Sequence, residues 1–189
     1  MKNLVLGAAS LLIALPAHAN DFTESIQRFF DSDISQWVND PALVAAITSR
    51  NTVTSGYSQA EIDALDMAWR GEVGQANRPT IMPILDNPTS DVLRERVASY
   101  GGRVTEIFVM DAVGLNVAAS DITSDFWQGD EAKFNETFGR GPGSVHISEI
   151  EFDESTQRYQ GQISVTIVDP SSGTAVGAMT IGIDAESLM

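Results

Sequence analysis

Cysteine is absent from all 189 residues. That removes disulfides, thiol nucleophiles and Cys-ligated zinc from any account of this chain. Histidine is scarce, with only His18 and His146, and His146 sits in an apolar-flanked strand pattern that suits a structural imidazole better than a general base. Basic residues are few: 11 Lys and Arg against 26 Asp and Glu give a formal charge of −15. A field of that sign repels nucleic acid and anionic lipid surfaces and favours cationic or zwitterionic ligands. Neither nucleic acid nor a membrane surface is an expected partner. The GxSxG elbow, the HExxH helix and the Ser-x-x-Lys pair are missing, and the glycine-rich run Gly139-Arg140-Gly141-Pro142-Gly143 lacks the lysine and following helix of a phosphate loop. No enzymatic activity and no cofactor is expected. The acidic group Asp125, Asp130 and Glu131 lacks the D-x-D-x-D-G spacing of a calcium loop, so no metal site is expected either.

What is present begins with a targeting signature. Met1–Ala19 has one charge at Lys2, an apolar core from Leu4 to Leu15, Pro16 as breaker, and Ala17-His18-Ala19 as an A-x-A cleavage site. The apolar core is shorter than the roughly 20 residues that span a bilayer. Cleavage takes the charge from −15 to −16 by losing Lys2, and leaves residues 20–189 as a single domain, periplasmic or secreted and without stable membrane insertion. Residues 20–100 read as its helical part. Phe22 to Val38 carries apolar residues at three- and four-residue spacing. Asp40-Pro41 restarts a helix as N-cap and first turn. Ser58 and Glu61 form a capping box ahead of Ile62, Leu65 and Trp69. Pro83 makes Ile81–Leu85 an edge strand or extended loop, and Thr89-Ser90-Asp91 caps a helix running to Tyr100.

Residues 101–189 read as the sheet part. Val104 to Met110 is a strand, Asp111-Ala112-Val113-Gly114 a tight turn, and Leu115 to Ala119 its partner. Ser144–Phe152, Tyr159–Val168 and Ala175–Ile183 complete five strands joined mostly by tight turns. The expected fold class is α+β: N-terminal helices followed by a five-stranded, mostly antiparallel sheet. Alternation in the last two strands puts Ile163, Val165, Ile167, Met179, Ile181 and Ile183 on one face. Ser164, Thr166, Ala178, Thr180 and Gly182 fall on the other, where small side chains leave room above the sheet.

Between the second and third strands lies Ser120–Phe138. Asp125 and Gln128 have capping-box spacing, and Trp127, Phe134 and Phe138 share one face if the segment is helical. One reading is a capped helix pinned to the sheet by its rings; the other is that Trp127, Asp125 and Asp130 wall a pocket over the Thr180 face. The two are compatible.

The run TEIFVMDAVGLNVAASDITSDFWQGDEAKF, followed by the hairpin QGQISVTIVDPSSGTAVGAMTIGID, resembles the PDC/Cache family of PAS-like extracytoplasmic sensor domains. The resemblance covers Val104 to Asp184, with a weaker helical prelude from Phe22. It implies a PAS/Cache-like sheet and a ligand-recognition module acting in signal transduction. Asp125 and Trp127 are the first residues it points to as ligand-binding, with Phe126, Asp130 and Thr180 beside them and Arg103 and Tyr100 behind. A small polar ligand is implied: an amino acid, an amine or a small carboxylate. Membrane-bound members are flanked by transmembrane helices, whereas nothing follows Met189 here. The expected route for the signal is therefore a separate membrane sensor kinase, chemoreceptor or cyclase. The alternative is a secreted structural or interaction protein of the same fold without a pocket.

Overall fold

The computed structural model describes residues 17–153 and 156–188. The expected leader therefore lies, up to residue 16, outside the described residues. Helix α1 spans Ala17–Phe29 and passes into a five-residue π-helical turn, Phe30–Ile34. Helix α2 (Pro41–Thr54) is capped by Asp40, whose side chain accepts from the Ala42 amide at 2.8 Å. Helix α3 (Gln59–Glu72) opens on the expected capping box: the Glu61 amide donates to the Ser58 hydroxyl, and the Ser58 amide to the Glu61 carboxylate. Helix α4 (Met82–Leu85) replaces the expected edge strand, because a proline in the first turn loses no helical hydrogen bond and arrives with a helical φ. Helix α5 (Pro88–Ser99) is capped by Asn87.

The sheet is antiparallel throughout, with strands β1 (Val104–Met110), β2 (Asn116–Ala119), β3 (Val145–Ile147), β4 (Glu151–Asp153), β5 (Arg158–Asp169) and β6 (Thr174–Asp184). Its order is β2-β1-β6-β5-β3, with β4 also on the outer edge of β5. Six strands appear where five were expected because the segment from Ser144 to Phe152 breaks after Ile147 and re-pairs at Glu151. Helix α6 (Ala132–Asn135) and a 3-10 turn at Phe138–Arg140 fill the connection from β2 to β3.

The faces follow the alternation. Ser164 lies opposite Thr180, and Thr166 opposite Ala178. The branched face, including Ile107, Val109, Ile163, Ile181 and Ile183, packs beneath α1, α2 and α5 in the main core, together with Ile26, Trp37 and Ile47. Phe108, Met110 and Ala178 stand on the opposite face and meet Phe134 and Phe138.

Candidate functional site

The Thr180 face is closed where a gap was expected. Phe134 and Phe138 stack at 5.2 Å between ring centres and join Phe108, Met110 and Ala178 in one apolar cluster. Thr180 is fully buried, its hydroxyl 2.9 Å from that of Ser164. Thr166 is satisfied by the Gly141 carbonyl at 2.9 Å. Small residues made room, and two phenylalanines occupy it.

Residues 125–128 are not helical. Trp127 forms an isolated antiparallel bridge with Leu115, and its indole Nε1 donates to the Val113 carbonyl at 2.8 Å. The ring crosses Gly129, where a Cβ would stand 2.3 Å from Nε1. Phe126 is buried and stacks on Trp69 with ring centres 5.1 Å apart. Asp66 of α3 accepts both the Phe126 and Trp127 amides, at 2.9 and 3.0 Å. Arg70 donates to Asp66 at 2.8 Å and reaches Asp125 at 2.9 Å, while the Trp69 indole donates to the Thr123 carbonyl at 2.8 Å. The aromatic acidic segment is thus clamped to α3. Asp130 is exposed. Tyr100 and Arg103 lie on the helical side of the sheet: the Tyr100 hydroxyl accepts from the Trp37 indole at 3.1 Å, and Arg103 covers the Phe29 ring at 5.0 Å. The seven expected ligand contacts therefore do not converge on one site.

An open volume does lie on the small-residue face, displaced toward its polar end. A cleft of about 300 Å³ runs between α6 and the β3–β5 edge, lined by Glu131, Lys133, His146, Ser148, Glu151, Asp153, Gln160 and Gln162 among others. Adjoining it, a recess of about 20 Å³ shares Lys133, Asp153 and Gln162 with the cleft, and adds Glu106, Phe108, Thr123, Ser124 and Gln128. Loop 120–128 therefore has two sides. Its aromatic rings face α3, while Thr123, Ser124 and Gln128 face the recess.

Glu106 is the centre of this site. It sits on β1 opposite Gly182 of β6, in register with Gln162 of β5 beyond. A Cβ on Gly182 would meet the Gln160 Oε1 at 2.7 Å and the Glu106 Cγ at 2.8 Å, so the glycine is what lets these polar chains lie down on the sheet. The Gln160 and Gln162 amides both donate to Glu106 Oε1, at 2.8 and 3.2 Å. Burial, followed by the negative charge of Asp153, pushes the Glu106 carboxyl up to about 7, against the pull of the two amides and Lys133. Lys133 itself is bonded to Glu131 at 2.9 Å and lies 5.5 Å above the Phe108 ring. The sequence carried a weak signal for Glu106: a charged residue at an inward position of a strand otherwise buried.

No protein-family model matches the chain, and no curated protein matches its sequence. Solved structures do. The sensory domain of the Campylobacter jejuni chemoreceptor Tlp3 with isoleucine bound is 15% identical, over 91% of this chain and 66% of that one, at a TM-score of 0.42. The Vibrio cholerae histidine kinase DctB sensor domain is 10% identical, over 90% and 57%, at 0.40. The ligand-binding domain of the Pseudomonas aeruginosa amino acid chemoreceptor PctC in complex with GABA is 11% identical, over 69% and 58%, at 0.39. The chain thus spans less than two thirds of the length of Tlp3's domain with 4-methylisoleucine, at 63%, and still less of DctB and PctC. These neighbours are sensory domains of chemoreceptors and a histidine kinase, the class the sequence resembles, and the likeness carries no residue role. Among the described residues no helix is long and apolar enough to cross a membrane.

Proposed function

We propose that the chain is a small-ligand-binding sensory module whose ligand occupies the cleft beneath α6 and reaches the recess at Glu106. The observation that carries this reading is a carboxyl only 6% exposed at the end of an open cleft. Burying a carboxylate is unfavourable unless something is gained by it, and such groups concentrate at functional sites. In this reading Lys133, Asp153, Gln160 and Gln162 contact the ligand beside Glu106. Asp125, Phe126 and Trp127 hold the loop that presents Thr123, Ser124 and Gln128. The module works outside the cytoplasm after loss of Met1–Ala19, and passes its signal to a separate membrane kinase, chemoreceptor or cyclase.

A thermal-shift screen of residues 20–189 against amino acids, amines, small carboxylates and Ca²⁺ tests it. One class is expected to raise Tm in the wild type and not in Glu106→Gln. A second reading, an interaction scaffold without a ligand, is favoured by the filled face over Thr180. It predicts a flat screen together with a tight protein partner in pull-down.

A further inference from the structure

We infer that the group received by the inner recess is the protonated amine of a small organic cation. This rests on the cleft being the binding site, as proposed above, and adds the chemistry of what it takes. At about 20 Å³ the recess has room for one group the size of a water molecule or a single nitrogen. Its donor groups are already engaged. The Thr123 hydroxyl and the Gln128 amide both donate to the Asp125 carbonyl, at 2.7 and 2.9 Å. The Ser124 hydroxyl donates to Asp125 Oδ2 at 2.9 Å, the Gln162 amide to Glu106, and Lys133 to Glu131.

The acceptors are less fully served. Gln128 is 1% exposed and its Oε1 has no hydrogen-bond partner. On Glu106 both amides converge on Oε1, leaving Oε2 without either. A buried acceptor left without a donor costs about 1–3 kcal/mol, so the Gln128 Oε1, beside the Glu106 carboxylate in one small void, calls for a donor-rich guest. An ammonium offers three N–H groups and a counter-charge. A ligand carboxylate would meet the Glu106 charge and the unpartnered Gln128 Oε1 there, with Lys133 alone of opposite sign, and a hydroxyl would bring no charge to set against Glu106. The approach has the same sign: Glu131, Glu151 and Asp153 line the cleft against Lys133, whose charge is drawn to Glu131 and the Phe108 face.

Binding of a cation requires Glu106 ionised. The groups bearing on it are Asp153 from β4, Lys133 from α6, and the Gln160 and Gln162 amides from β5. Burial and Asp153 hold its proton on to about pH 7, so affinity for an amine falls on acidification.

Calorimetric titration of residues 20–189 with n-butylamine, 1,4-diaminobutane, n-butanol and butyrate tests this. Both amines are expected to bind at pH 8, with n-butanol and butyrate at least about tenfold weaker. Lowering the pH to 6 weakens the amines about tenfold, following the ionised fraction of Glu106. Glu106→Gln removes both the affinity and its pH dependence. Gln128→Met, a nearly isosteric change, weakens the amines while circular dichroism shows the fold retained. Butyrate binding more tightly than the amines, and lost in Lys133→Met, overturns the amine assignment while leaving the cleft as the site. Amine binding indifferent to both Glu106→Gln and Gln128→Met places the amines elsewhere on the acidic surface and also overturns it. No binding by any of the four, with a Tm screen flat in the wild type, sinks the cleft reading as well.

Discussion

Glu106 and Asp66 show how differently two buried carboxylates behave. Asp66 has three donors converging on it, two of them backbone amides of the loop. Removing it strands those amides, so Asp66→Ala is expected to cost about 2–4 kcal/mol. Arg70→Ala should cost about 1 kcal/mol or less, since its side chain is 59% exposed and such pairs contribute little. Urea denaturation of both variants measures the difference; equal losses would show that the ion pair, not the amides, holds the loop. Glu106 has its acidity suppressed from 4.5 to about 7. Between those values the folded protein keeps a proton that the unfolded chain has released. Stability therefore falls as pH rises through this window, by about 3 kcal/mol at most. Burial raises the Asp111 carboxyl too, in the same direction. Glu106→Gln should flatten much of the decline between pH 4.5 and 7, read from urea midpoints at several pH values, and an unchanged slope would assign it to Asp111 or to general charge repulsion. Glu106 showed in the sequence only as a charge inside an apolar strand, and Asp66 not at all: it is one acid among 26, and its role exists only where α3 meets a loop 60 residues away.

At the scale of elements, local rules located most of the structure. The capping box at Ser58, the Asp40-Pro41 restart and the Asp111–Gly114 turn need only neighbouring residues to specify them. Gly114 adopts φ +86°, and a Cβ there would stand 2.6 Å from the Gly129 Cα. Gly114→Ala should therefore destabilise the β1–β2 hairpin beyond its φ cost, seen as faster amide exchange at Leu115 and Asn116, whose N–H groups bond Asp111 and Phe126. The segment after β2 misled the local rules. Asp125 and Gln128 have the spacing of a capping box, yet Trp127 bridges to Leu115 and the helix waits until Ala132. Tertiary partners on α3 outweigh a helix nucleus that is unfavourable in isolation. The rings consequently divide, Phe126 and Trp127 going to Trp69 and its neighbours and Phe134 and Phe138 to the sheet. Phe134→Ala is expected to open a void over Ala178 and Thr180 and to cost about 3–5 kcal/mol. A much smaller loss would mean the face collapses readily.

For the whole molecule, the excess of acid dominates. The net charge is −15, while the ion pairs among the described residues mostly involve exposed chains. Exposed pairs contribute about 0–1 kcal/mol each and are screened together with the repulsion. Repulsion is the larger effect, so raising salt should raise Tm by several degrees, and a fall would show that the pairs outweigh it.

The sequence by itself determined the class of the fold: helices first and strands after, the antiparallel pairing, and which residues face which side of the sheet. Each of these follows from spacing, and spacing is local. Tertiary structure alone decided where the space is. Whether a small-residue face stays open depends on what another element lays upon it, and here Phe134 and Phe138 fill the Thr180 end. The room beside Gly182 is taken by Glu106 and Gln160, and the cleft opens beyond them. A void is a property of two surfaces brought together, and no single stretch of chain encodes both.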